Sequence, residues 1–225
     1  MDWTHIPVAS YVFFGLFVVA SIVHLVFCFL EKELARKCTK CLTTLFLSIA
    51  AIIAIPTEPL VYLGTVAGMA GDAFLLKKHK VWPFVAGMLS FMVNHILYIA
   101  AFIKLNGNLH YSFYLATALF LVLFPVAFFR VANRIAHQKK IALGGAIYFG
   151  LLGAELAWGI VTCATGHLDY ALLCVFGTIC FIISDIFLTK TLFKRDVKRR
   201  DFYIMLTYLL AQGLIVVGFV MTLLK

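Results

Sequence analysis

VASYVFFGLFVVASIVHLVFCFL, residues 8–30, runs for 23 residues without a lysine, arginine, aspartate or glutamate. As an α-helix it extends about 34 Å, and about 20 apolar residues suffice to cross the core of a bilayer. It does not read as a cleaved leader. No basic segment precedes it, it exceeds the roughly 7–15 apolar residues of a leader, and no small-x-small cleavage site precedes the first charged loop.

Working outward, the same pattern recurs along the chain. Hydrophobic residues make up 64% of the sequence and charged residues 13%, with a mean hydropathy of +1.03; a soluble domain carries about 25% charged residues. The apolar blocks predict spans at Val8–Leu30, Thr39–Ile55, Leu60–Leu76, Trp82–Ile103, Tyr111–Phe129, Ile141–Thr162, Leu168–Thr189 and Phe202–Leu224. The fold expected is an all-α polytopic membrane protein with eight transmembrane helices. It forms one integral membrane domain over residues 1–225, with halves near 8–104 and 111–225. No connection is long enough for a soluble domain.

The net charge of +9 could indicate nucleic-acid binding, but the positions of the charges argue against it. Seventeen of the 19 lysines and arginines lie in the loops after spans 1, 3, 5 and 7 or, for Lys40, at the edge where span 2 begins; the exceptions are Lys104 and Lys225. Such alternation is topological. The positive-inside rule places those loops in the cytosol and both termini on the opposite side. The basic loops also favour an anionic inner leaflet. The six cysteines lie in spans or at their cytosolic edge, where a disulfide framework is not expected. Cys38 and Cys41 have CxxC spacing but no second pair and no histidine cluster, so they read as small interfacial residues.

One regularity is hidden within the apolar blocks. GTVAGMAGDAFLLK, residues 64–77, and GTICFIISDIFLTK, residues 177–190, align without gaps and share Gly, Thr, Asp, Phe, Leu and Lys. The offset is 113 residues, with four spans between equivalent points. This predicts a parallel four-plus-four repeat with a site at the interface of its halves. It also puts Asp72 and Asp185 at one depth, about 7 Å of helix rise before the lysine that ends each motif.

Ionisable groups inside spans usually mark function. The acidic ones are Asp72, Glu155 and Asp185. In span 4, Gly87, Phe91, His95 and Tyr98 follow one helical face, and in span 8 Tyr208 and Gln212 stand one turn apart. Lys40 opens span 2. Each has a bland alternative: a salt bridge for a span-end aspartate, packing for His95, interhelical hydrogen bonding for Tyr208 and Gln212, topology for Lys40. Two aspartates at matched depth in repeated motifs weigh against the bland reading for that pair. Glu155, in GAELAWG, has no evident partner, and His24 reads as structural or interfacial.

Two carboxyl groups sharing a low-dielectric slot cannot both ionise cheaply, so one keeps its proton. Such a pair supplies a general acid and a general base, and a carboxylate stabilises an oxocarbenium-like transition state. No serine elbow, metal motif or nucleotide loop is visible, so no cofactor is expected. Metal-free acid/base hydrolysis of an amphipathic substrate fits best.

TKCLT (39–43), GDAFLL (71–76), the G-x-x-x-F-x-x-x-H-x-x-Y pattern of Gly87–Tyr98, SDIFL (184–188) and Y-x-x-x-Q at Tyr208–Gln212 occur in this order. Together they resemble the YhhN-like lysoplasmalogenase family of eight-span membrane proteins, over spans 2–8. The resemblance implies hydrolysis of the vinyl ether bond of lysoplasmalogens to a fatty aldehyde and glycerophosphoethanolamine or glycerophosphocholine. It also implies a bacterial inner membrane or an endoplasmic reticulum membrane as the location. Asp72 and Asp185 would be catalytic, either one as the acid. His95, Tyr98, Tyr208 and Gln212 would position water and glycerol hydroxyls, and Lys40 would meet the phosphate. The resemblance carries no role for Glu155. A small proton-coupled transporter is the alternative, although a site near one surface suits alternating access poorly. An intramembrane aspartyl protease would need a Gly-x-Gly-Asp pattern, and Met69 breaks it. A scaffold would leave the repeated carboxylates unexplained.

Overall fold

The computed structural model describes residues 6–76, 81–107, 139–192 and 198–224, and between them residues 113–115, 117–119, 121–123, 125, 126 and 130. Among the described residues every regular element is helical. In order these are α1 (Val8–Phe29), α2 (Glu33–Ala54), α3 (Pro59–Leu75), α4 (Val81–Asn106), a shorter apolar α5 (Phe113–Leu123), α6 (Lys139–Thr162), α7 (Leu168–Leu192) and α8 (Arg200–Leu223). Pro59 sits in the first turn of α3, where its missing N–H leaves no helical bond unmade.

Five stretches are long and apolar enough to cross a membrane by length and composition: Val8–Phe29, Glu33–Ala54, Val81–Asn106, Leu143–Thr189 and Arg200–Leu223. The chain is an integral membrane protein. The fourth stretch holds both α6 and α7. They join through a π-helical turn at Cys163–His167, in which Gly166 takes φ 108°. A side chain rarely tolerates that backbone, and there the chain reverses, so that α7 packs back on α6.

α1 lies along α2, α3 along α4 and α7 along α8, while α2 meets α3 and α4 meets α6. The bundle carries apolar side chains outward, with Val12, Val19 and Ile22 of α1 exposed, and buries Thr44, Ser48, Asn94, Thr178 and Gln212. Between apolar helices in lipid, close approach and interhelical hydrogen bonds replace the hydrophobic drive. A Cβ on Gly64 would lie 2.6 Å from the Tyr98 ring, and one on Gly177 would lie 2.9 Å from the backbone carbonyl of Ala211. Hydrogen at these positions lets α3 and α4, and α7 and α8, come close enough to bury the polar residues beside them.

Most helix ends fall within a few residues of the spans predicted from the sequence. The exception is α2, which starts at Glu33 rather than Thr39. Glu33, Arg36, Lys37, Lys40 and Thr44 recur at intervals of three and four, so one face of a continuous helix carries them. The helix therefore continues beyond its apolar run, with that polar face turned to a cavity. The predicted span Tyr111–Phe129 lies partly outside the described residues, and the described part of it holds the shorter apolar helix α5.

Candidate active site

The C-terminal ends of α1, α3 and α7 meet the N-terminal ends of α2 and α8, and a cavity opens among them. Its empty volume is about 840 Å³, open mouth included. Charged residues of α2 and Asp201 of α8 lie on it, together with His24, and further in it is lined by Leu75, Phe91, Phe181, Leu188, Met205 and Tyr208. Asp72 and Asp185 both line it, each less than a tenth exposed. The matched motifs thus bring both carboxyls to one space, although their partners differ.

Asp72, near the end of α3, is held by three donors. The Lys40 ammonium lies 3.2 Å from Oδ1, while the hydroxyls of Thr44 and Tyr208 donate to Oδ2 at 3.2 and 2.8 Å. All three donors favour the anion. Lys40 and Thr44 lie one turn apart on α2, which is why one carboxylate can take both. Tyr208 reaches across from α8, with its ring set edge-on to Phe91 and Phe181 at 5.7 and 5.4 Å.

Asp185, near the end of α7, accepts one hydrogen bond among the described residues, from the Tyr148 hydroxyl at 2.7 Å. Among the described residues it has no cation within bonding distance. Behind it runs a buried polar line. Tyr148 Oη lies 3.2 Å from His95 Nε2, His95 Nδ1 lies 2.6 Å from Glu155, and the Thr178 hydroxyl donates to Glu155 at 2.9 Å. The register explains the line. Tyr148 and Glu155 stand seven residues apart on α6, as do Thr178 and Asp185 on α7. Because α6 and α7 run antiparallel, Tyr148 bonds Asp185 and Glu155 bonds Thr178, about 10 Å apart along the helices. His95 of α4 bridges the two levels, with the Phe181 ring 4.6 Å from its own.

A YhhN family model matches residues 35–219, four-fifths of the chain. The chain belongs to the YhhN family. No curated protein and no solved structure matched it. Within this YhhN chain, the candidate residues read from the sequence divide into two groups. Lys40, Asp72, Asp185 and Tyr208 line the cavity. His95, Tyr98 and Gln212 do not line it and are buried in the bundle. Tyr98 donates to Gln212 at 2.9 Å, and Asn94, on the same helix, donates to the Gly64 carbonyl at 2.7 Å. This network joins α3, α4 and α8.

Several polar residues of the site were not singled out in the sequence: Tyr148, Thr44, Thr178 and Arg36, the last paired with Asp201 of α8. For Tyr148 a signal existed, since it lies two turns before Glu155 on one face. Glu155 does have partners, but they come from α4 and α7, which spacing within its own helix cannot show. His24 lies on the cavity and its Nδ1 is 2.7 Å from the Thr39 hydroxyl. Cys38 and Cys41 are free thiols. Among the described residues no group of three or more His, Cys, Asp or Glu side chains could hold a metal ion.

Proposed function

We propose that this YhhN family member is a lysoplasmalogenase-type hydrolase. It cleaves the vinyl ether bond of a lysoplasmalogen, releasing a fatty aldehyde and glycerophosphoethanolamine or glycerophosphocholine. The observation that carries the reading is a cavity with charged residues of both signs at its mouth and apolar side chains inside, lined by two buried carboxyls in different company. Asp72 is paired with an ammonium and two hydroxyls, and so is suited to act as the carboxylate. Among the described residues Asp185 has one neutral donor, and a buried carboxylate without a cation costs several kcal/mol. The neutral acid is the cheaper form there.

Asp185 then delivers its proton to the vinyl carbon, leaving an oxocarbenium ion whose charge Asp72 stabilises. Water adds to the cation, giving its proton to Asp72. The hemiacetal collapses as Asp72 protonates the departing glycerol oxygen and the hydroxyl proton leaves toward Asp185. No cofactor takes part. The phosphate of the substrate meets Lys40, with Arg36 and Lys37 turning to it from their pairs with Asp201 and Glu33; charge-assisted hydrogen bonds are the suitable recognition. The alkenyl chain lies along Leu75, Leu188 and Met205. The substrate is a lysophospholipid drawn from the bilayer; nucleic acid is not a partner.

The same reading takes the chain as eight spans in two parallel halves, with the basic loops in the cytosol and both termini on the other side. The membrane is a bacterial inner membrane or, in a eukaryote, the endoplasmic reticulum. The test offers purified protein the vinyl ether, ester and alkyl ether lysolipids and measures aldehyde. Release from the vinyl ether is expected, and cleavage of the ester alone sinks the assignment. The buried line from Asp185 to Glu155 also suits a small proton-coupled carrier; substrate-dependent proton flux in liposomes without chemical product would favour that instead.

A further inference from the structure

We propose that Tyr148, His95 and Glu155 form a proton relay that refills Asp185, acting as positioning residues that never touch the substrate. The inference rests on the vinyl ether reading above and extends it beyond the cavity wall. The observations are geometric. Contacts of 2.7, 3.2 and 2.6 Å link Asp185, Tyr148, His95 and Glu155 without a break. Every member is buried, and Phe181 lies between the cavity and the His95 ring. A histidine between a carboxylate and a hydroxyl is oriented at both ring nitrogens, the condition for moving a proton through it. Packing alone does not account for a glutamate that is fully buried and aimed at that ring. The Thr178 hydroxyl fixes the other oxygen of Glu155.

The relay has a balanced sequence. It starts with Asp185 as the acid, Tyr148 donating to Asp185 Oδ2, and His95 protonated on both nitrogens against the Glu155 carboxylate. When the Oδ1 proton passes to the vinyl carbon, the Tyr148 O–H bond breaks as Asp185 Oδ2–H forms. The His95 Nε2–H bond breaks as the Tyr148 O–H bond is remade. His95 is left neutral, still donating from Nδ1 to Glu155. The negative charge created at the cavity is thereby moved to Glu155, where Thr178 and His95 hold it. When the hemiacetal collapses, its hydroxyl proton enters Asp185 and the same bonds shift in reverse, restoring His95.

The central variant is Tyr148→Phe, which removes one hydroxyl and keeps the ring. The expected result is a fall in kcat of about tenfold or more, as for loss of a proton-transfer partner, with KM within about twofold, because the ring is outside the cavity. The dependence of kcat on the deuterium fraction of the solvent is expected to change from curved, for several protons in flight, to linear for one. Neither change follows from a merely structural role. Glu155→Gln, read in the same way, covers the case in which Tyr148→Phe does not fold. An unchanged kcat in either folded variant, or an effect confined to KM, overturns the relay while leaving the activity standing. Absence of aldehyde release by the unmutated protein overturns the vinyl ether reading and the relay with it.

Discussion

Replacing Asp185 and Asp72 by asparagine, one at a time, distinguishes the two carboxyls by stability as well as by rate. At position 185 an amide oxygen still accepts from the Tyr148 hydroxyl, now 2.7 Å away, so no donor is stranded. The folded protein should lose less than about 1 kcal/mol. At position 72 three donors converge on two carboxylate oxygens. An amide offers only one acceptor atom. If it faces Tyr208 and Thr44, its NH2 faces the Lys40 ammonium. One donor then loses its acceptor, at a cost of about 1–3 kcal/mol, reduced to the extent that Lys40 can turn toward the cavity. Both variants lose the proton chemistry, worth about 10²–10⁴ in rate, or about 3–5 kcal/mol of barrier. Thermal unfolding in one detergent gives the stability order, and aldehyde release from the vinyl ether lysolipid gives the rates. Equal destabilisation refutes the difference argued between the two sites. Turnover within about tenfold of the parent in Asp185→Asn refutes its role as the acid.

Lys40→Met removes a cation that serves both the Asp72 pair and the cavity mouth, so kcat should fall and KM rise, each by about tenfold. Steady-state kinetics with wild-type values for both would remove Lys40 from the site. Tyr98→Phe deletes the bond to Gln212 outside the cavity, and a loss of about 0.6–1.7 kcal/mol of stability is expected, the range for interhelical hydrogen bonds in membranes. A raised KM with unchanged stability would return Tyr98 to substrate binding. Gly177→Val places side-chain atoms against the Ala211 carbonyl and Ile215, and overpacking of this kind costs about 1–3 kcal/mol. Unchanged thermal stability would show that α7 and α8 do not need the close approach.

Much of this protein was legible from residue order alone. The apolar blocks and the lysine alternation depend only on the cost of placing side chains in lipid or water. They yielded the helical class and most helix ends to within a few residues, except at α2, where charged residues form the polar face of a helix that outlasts its apolar run, and at the fifth predicted span, which falls partly outside the described residues. The repeated Gly-Thr…Asp-x-Phe-Leu motif pointed to Asp72 and Asp185 before any contact was known, and the structure places both on one cavity. Sequence could not distinguish the two carboxyls, because the difference comes from other helices: Lys40, Thr44 and Tyr208 converge on one, and among the described residues Tyr148 alone meets the other. Nor could it find partners for Glu155, since periodicity reports which residues share a face of one helix and not which faces meet. Only the antiparallel register of α6 on α7, with His95 of α4 set between them, decided that Glu155 stands behind Asp185. Helix packing is fixed by close contacts between distant residues, so the residues behind the site became visible only once the helices were assembled.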